Sequence, residues 1–255
     1  MMATLYHLNC VRIETPIQAN VCGHCLLINE AGRLILIDTG IGLLDTQDPE
    51  GRIGKDLINM VGYQLDESIT AIKQIVKLGL DPAMVTDCII THLDNDHTGG
   101  LADFPLATVH IGAEEMANYE SGNLRYLKMP LAHLPKIKTY NTNDTEWFGL
   151  QARKIAIGTE TEIFLVPLFG HTLGHCGIAL RVSDRWLFYI GDAYYLRIEL
   201  TANEHPVNQL AQMRADDNEI RLESLEKIRK LKATHPEIDL YGYHDIDEFD
   251  YFEKQ

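Results

Sequence analysis

Residues 91–100 read Thr91-His92-Leu93-Asp94-Asn95-Asp96-His97-Thr98-Gly99-Gly100, directly behind the apolar run Cys88-Ile89-Ile90. A buried strand that ends and releases four donor side chains within six residues is a metal-site signature. Imidazole and carboxylate together suit zinc, iron or manganese. In an extended loop alternate side chains share a face, so His92 and Asp94 point the same way, while Asp96 and His97 reach a second ion. Gly99-Gly100 is expected to let the chain turn tightly behind the site. The bland alternative is a polar loop with chance histidines.

The rest of the chain argues against that alternative. Gly170-His171-Thr172-Leu173-Gly174-His175 follows a strand candidate at 163–166, Gly191-Asp192 follows one at 186–190, and His244-Asp245 follows one at 238–241. Each apolar run delivers a His or Asp at or just beyond its C-terminal end, where a rigid sheet positions functional loops. Further strand candidates are 34–37, 88–90 and 108–111. Helix candidates are 68–78, 113–119 and 218–231, the last with Leu222, Leu225, Ile228 and Leu231 on one stripe. Asp81-Pro82 reads as an N-cap followed by proline at the first helical position.

The strand-rich pattern occurs twice, before and after residues 121–146. It predicts one domain over 1–255, with pseudo-repeated halves at about 1–120 and 147–255. In the middle stretch Leu124, Tyr126, Leu127, Met129, Leu131 and Leu134 alternate with Lys, His and Pro. It reads as an insertion lining a pocket, or as a surface excursion covering core. Strands alternating with helices predict α/β layers, sheets inside and helices outside.

A 255-residue chain with 45% hydrophobic and 23% charged residues has the balance of an ordinary soluble globular protein. It contains no apolar run of about 18 residues, so no membrane span is expected. The opening MMATLYHLNCVRIE has no basic segment followed by an apolar one, so no secretory signal is expected. Five cysteines without a disulfide-framework spacing predict a reducing cytoplasm. The net charge of −15 repels phosphate backbones and sets nucleic acid aside as a partner. Cys22-Gly23-His24-Cys25 lacks the second pair of a zinc site and reads as packing cysteines in an early strand. Cys176 receives no role. His7, His110, His133, His205 and His235 have no partner at ligand spacing and read as surface or satisfied core residues. Of these, His133 in the middle stretch is best placed to meet a substrate.

With these motifs in order, the chain resembles the metallo-β-lactamase superfamily. That pattern is H-x-H-x-D-H, a His within G-H-T-x-G-H, an Asp after a strand, and a C-terminal His. Leu36-Ile37-Asp38-Thr39-Gly40 looks like the family's early aspartate motif, and the resemblance spans residues from about 20 to 246. It implies a four-layer αββα sandwich holding two divalent metal ions. His92, Asp94 and His171 would bind the first ion, and Asp96, His97 and His244 the second. Asp192 would bridge them, and Asp38 would brace the ligand loop. His175 would support the site from behind, or simply be a hydrogen-bonded, partly buried histidine. Asp94 stands where most of the family has its second His, and flavin-linked diiron members place Glu there. Zinc is the first expectation, with iron or manganese as the alternatives.

Within the superfamily the chain looks most like the N-acyl homoserine lactone hydrolases. It has a similar length and a tyrosine three residues after the bridging aspartate, in Asp192-Ala193-Tyr194-Tyr195. Its closing Tyr241-Gly242-Tyr243-His244-Asp245-Ile246 is similar to their G-H-D-I-E, with Tyr243 inserted. The resemblance implies opening of a lactone or similar carboxylic ester by a hydroxide shared between the two ions. Asp96 would carry the proton to the leaving group, and the Tyr195 hydroxyl would hydrogen-bond the oxyanion. Tyr194 competes for that role, and core packing is the alternative for Tyr195. No G-x-S-x-G segment supplies a serine nucleophile. A thioesterase or glyoxalase II-like hydrolase would use the same centre. A β-lactamase is disfavoured by the lack of an export signal, and a nuclease by the acidic charge. A diiron redox protein ending at Gln255 would need a separate electron donor. The reading from another class is a non-enzymatic binding protein with a degenerate site. The expected partner is a small-molecule ester or lactone, not nucleic acid or membrane, with a homodimer left open.

Overall fold

The computed structural model describes residues 3–18, 20–142 and 145–254. Met1 and Met2 of the opening segment, and Asn143 and Asp144 of the middle stretch, lie outside the described residues. The first sheet runs β1 (Thr4–Ile13), β2 (Val21–Glu30), β3 (Arg33–Ile37), β4 (Val85–Ile89), β5 (Thr108–Gly112) and β6 (Lys136–Tyr140), side by side in that order. Strands β1 to β3 pair antiparallel and β3 to β6 parallel. The second sheet is formed by β7 (Thr145–Trp147), β8 (Leu150–Lys154), β9 (Glu162–Pro167), β10 (Cys176–Val182), β11 (Arg185–Tyr189) and β12 (Asp239–Tyr241). Only its β11–β12 pair is parallel.

Central strands such as β3, β9 and β10 read as near-continuous apolar runs because both of their faces are covered. In β9, Ile163 and Leu165 join the core between the sheets, while Phe164 and Val166 turn to an outer core. In β11, Leu187 and Tyr189 face inward and Phe188 outward. That outer core is closed by the helix Asn218–Thr234 through Leu225, Ile228 and Leu231. On the first sheet Ala71 and Ile75 of a short helix belong to the inner core cluster. The result is the expected four-layer arrangement, helices outside two mixed sheets.

The helices are α1 (Leu43–Gln47), α2 (Pro49–Arg52), α3 (Lys55–Val61), α4 (Ala71–Lys77), α5 (Asn95–Thr98), α6 (Ala113–Glu120), α7 (Pro206–Arg214), α8 (Asn218–Thr234) and α9 (Ile246–Phe252). Three expectations need correction. The single helix over 68–78 is divided into a 3-10 turn, Glu67–Ile69, and α4, because Thr70 between them is extended and its hydroxyl donates back to Glu67 O. The stripe on α8 runs through Arg221, Ser224, Leu225, Ile228 and Leu231, and Leu222 is 46% exposed. Arg221 takes the inward position because its guanidinium pairs with buried Glu199 at 3.2 Å. Gly99-Gly100 makes no tight turn: the chain passes from α5 into a 3-10 helix, Gly99–Asp103, with φ −53° at Gly99. The glycines serve close approach instead. A Cβ at Gly99 would lie 2.2 Å from Asp45 Oδ2, and one at Gly100 2.6 Å from Thr39 O.

Asp81 caps the 3-10 turn Pro82–Met84 through Ala83 N–H, as the Asp-Pro pair implies. The middle stretch supplies β6 to the first sheet and buries Tyr126 and Leu131, while Leu124 and Leu134 are exposed. All five cysteines are buried and free. Burial pushes the Cys176 thiol up to about 12, which disfavours the nucleophilic thiolate. Among the described residues no helix is long and apolar enough to cross a membrane.

Candidate metal centre

The loop after β4 is tied down from several directions before its side chains converge. Glu115 on α6 accepts from Leu93 N–H at 2.8 Å, from Tyr126 OH at 2.8 Å and from Thr172 Oγ1 at 2.6 Å. It thereby clamps the His92 loop to the His171 loop. Burial pushes its pKa up to about 7. Cys176 N–H donates to Thr91 O at 3.0 Å, and Thr39 N–H to His97 O at 2.8 Å. Tyr243 OH donates to Asp96 O, and its ring lies 3.8 Å from that of His97, centroid to centroid. Sequence reading gave neither Glu115 nor Tyr243 a role.

Asp38 is the hub beneath this loop. It accepts from Thr91 N–H at 2.9 Å, Thr91 Oγ1 at 2.9 Å, His97 Nδ1 at 2.7 Å and Tyr189 OH at 2.8 Å. Because Thr91 spends its hydroxyl hydrogen on Asp38, its oxygen accepts from His92 Nδ1–H at 3.0 Å. His244 Nδ1–H donates to Cys22 O at 2.9 Å. With Nδ1 engaged, each of these three rings aims an Nε2 lone pair into one space.

The inward atoms form two groups. His92, His171 and Asp192 offer donor atoms within 4.8 Å of one another, and so do Asp96, His97 and His244. Asp94 Oδ2 lies 3.4 Å from His92 Nε2 and 3.3 Å from His171 Nε2, which places it with the first group. Asp192 joins the groups: Oδ1 is 3.3 Å from His97 Nε2, and Oδ2 is 3.4 Å from both His171 and His244 Nε2. All seven residues singled out at the strand ends are therefore brought together and buried. Buried His92 Nε2, His97 Nε2 and Asp192 Oδ1 have no hydrogen-bond partner. Buried polar atoms of this kind are almost always satisfied, and two cations would satisfy them. The donor set therefore fits the ions it was expected to hold.

The charge balance agrees. Burial alone would lower the pKa of His97, yet the carboxylates of Asp192 and Asp38 raise it well above the usual imidazole value. His244 is raised in the same way by Asp192 and Asp96 against the effect of burial. Burial opposes ionisation of Asp192, but His244 and His97 outweigh it and hold its carboxyl well below the usual range. Such a carboxylate excess in a closed space attracts positive charge.

His175 lies behind the site. Its Nδ1–H donates to Leu168 O at 3.0 Å, and its Nε2 accepts from Asp192 N–H at 3.1 Å, so it fixes the backbone of the central aspartate. Burial, reinforced by His171, pushes its pKa down to about 3. A folded value below the unfolded value of about 6.5 means the contribution is complete above that pH and is lost as pH falls toward 3. Acidification from pH 7 to 5 is expected to cost about 2 kcal/mol through this residue. Urea midpoints of the protein and of His175→Gln at both pH values check this: the variant should show the shallower pH dependence.

The tyrosines separate. Tyr194 is buried and its hydroxyl hydrogen is committed to Glu248 at 2.9 Å. The Tyr195 ring stands 5.6 Å from that of His171 and 5.4 Å from that of His244, centroid to centroid. Burial and then Asp192 raise its pKa well above 10, so the phenol remains a donor.

Arg125, in the middle stretch, went unnoticed in the sequence. Its Nε donates to Asp94 Oδ1 and its Nη2 to Asp94 Oδ2, both at 2.6 Å. Nη2 also donates to His171 Nε2 at 2.7 Å. The available signal was charge: an aspartate in a histidine's place calls for a buried counter-cation.

A sandwich of two mixed sheets with this donor cluster at its strand ends has a clear place among known proteins. The profile of the metallo-beta-lactamase superfamily matches residues 23–234, and the chain belongs to that superfamily. A probable metallo-hydrolase of Mycobacterium tuberculosis is 36% identical over 200 residues, covering 76% of this chain and 63% of that protein. The chain thus spans less than two thirds of that relative. The N-acyl homoserine lactonase AttM of Rhizobium johnstonii is 30% identical over 172 residues, 63% of this chain and 61% of that one. In three dimensions the fold matches that of AiiA from B. thuringiensis, a mutant with N-decanoyl-L-homoserine bound at its active site. The TM-score is 0.75 at 19% identity, covering 98% of this chain and 97% of that one.

Proposed function

We propose that this chain is a dinuclear metal-dependent hydrolase that opens a lactone or similar carboxylic ester. The observation that carries the reading is the pair of donor groups joined by Asp192, with Tyr195 leaning between His171 and His244. His92, Asp94 and His171 would hold the first ion and Asp96, His97 and His244 the second, with Asp192 placed between the two groups; zinc suits this set best. Two divalent cations held there supply, when bound, an activated water at neutral pH and positive charge for the substrate carbonyl. Asp96 accepts the proton of the attacking water and passes it to the leaving alkoxide. Tyr195 donates its hydroxyl hydrogen to the carbonyl oxygen as negative charge develops there. The buried walls around His92, His97 and Asp192 exclude bulk water and strengthen both interactions. The lactonase AttM and the homoserine product held by AiiA direct the choice toward acyl homoserine lactones.

Zinc-loaded protein is expected to release acid from acyl homoserine lactones, followed by pH indicator, while His92→Ala under the same conditions stays at background. Turnover of acyl thioesters but not lactones would move the assignment to a thioesterase. Equal, background-level rates for both proteins on every ester would remove the hydrolase reading.

A further inference from the structure

The two donor groups differ in one respect: a permanent cation of the protein already occupies part of the first. Arg125 grips both oxygens of Asp94 and reaches His171 Nε2 with the same Nη2. Its side chain is only 9% exposed, and its Nη1 donates to Arg214 O and lies 3.5 Å from Asp216 Oδ1. Tyr126 beside it is anchored on Glu115. Guanidinium stays charged and its planar fork matches a carboxylate, so this grip is strong. A carboxylate has lone pairs for both an arginine and a metal, but an imidazole Nε2 has one. His171 can bond Arg125 or an ion through that atom, not both.

Two further facts point the same way. His171 Nδ1 is buried without a partner, whereas the other three imidazoles of the site are held through Nδ1. Arg125 therefore orients His171 in place of the usual brace. Among the described residues, no Lys or Arg hydrogen bond or ion pair reaches the inward atoms of Asp96, His97, His244 or Asp192.

We propose that Arg125 is a resident cation that competes with metal for the first seat, so that the second seat fills first and the first more weakly. This rests on the metal-centre reading above and adds an order of loading to it. Releasing His171 from a charge-assisted hydrogen bond sets the expected gap at about tenfold or more.

The experiment titrates Zn2+ into metal-free protein by calorimetry, with competition from a chromophoric chelator, and counts bound zinc after gel filtration. The protein should show two constants separated by about tenfold or more. Arg125→Met removes charge and donors while keeping the length of the side chain. It should tighten the weaker constant by about tenfold and leave the tighter one within about twofold. Arg125→Lys keeps the charge but loses the fork and should fall between; it carries the test should the Met variant fail to fold. Equal constants in the unmodified protein, or an unchanged or weakened first seat in the folded variant, would overturn the proposal while leaving the two-metal reading intact. Absence of any zinc binding would remove both.

Discussion

Asp192→Ala is expected to lose hydrolysis by about a thousandfold or more in kcat/KM, or about 4 kcal/mol of transition-state stabilisation. The size of the effect follows from position. Among the described residues, Asp192 is the only side chain whose oxygens lie within 3.4 Å of inward nitrogens of both groups: His97 and His244 on one side, His171 on the other. On the two-ion reading proposed above, removing it would cost each ion a ligand and take away the carboxylate that joins the two donor groups. The metal-free variant should nevertheless fold, because among the described residues the deleted buried carboxylate forms ion pairs with histidines alone. Elemental analysis should find bound zinc reduced from two per chain to one or none, alongside cooperative urea unfolding. Two firmly bound ions together with near-normal turnover would show that Asp192 is not the bridge.

Asp38→Ala should produce the largest loss of stability. Four donors converge on this carboxylate, and all are buried: Thr91 N–H, Thr91 Oγ1, His97 Nδ1 and Tyr189 OH. Leaving a buried donor unsatisfied costs about 1–3 kcal/mol. The losses overlap, so a total of about 4 kcal/mol is expected. Asp38 also sits at φ 51°, a left-handed conformation that aspartate tolerates better than alanine. His97 would lose the bond that sets its ring, weakening metal affinity by about 10–100-fold. Urea melts of metal-free protein and zinc titrations measure the two effects separately. A stability change under about 1 kcal/mol would mean the hub is dispensable.

Local motifs made most of this site legible. Asp38, His92 to His97, His171, Asp192 and His244 each lie at or shortly beyond the end of an apolar strand, so a short window contains both the strand and its ligand. What escaped depends on distance in the chain. Arg125 meets Asp94 across 31 residues, and nothing near residue 125 marks it. Tyr243 reaches Asp96 O across 147 residues and read only as an insertion within a motif. Glu115 stands on the helix candidate at 113–119 with no local motif to mark it, although its carboxylate accepts from both ligand loops. The fold shows the same division. The strands at 163–166 and 186–190 could be read because apolar runs stand out, whereas β6, with Lys136, Lys138 and Thr139, carries too little apolar sequence to declare itself. On α8, periodicity gave the helix and its inward Leu225, Ile228 and Leu231 but misplaced Leu222, because a buried Arg221–Glu199 pair claimed the inward position beside it.

Anomalous diffraction from crystals of zinc-loaded protein, collected at the zinc edge, tests the central claim most directly. The account predicts two peaks roughly 3.5–4 Å apart, one surrounded by His92, Asp94 and His171 and the other by Asp96, His97 and His244, with Asp192 reaching both. A single peak outside these groups, or none, would contradict it.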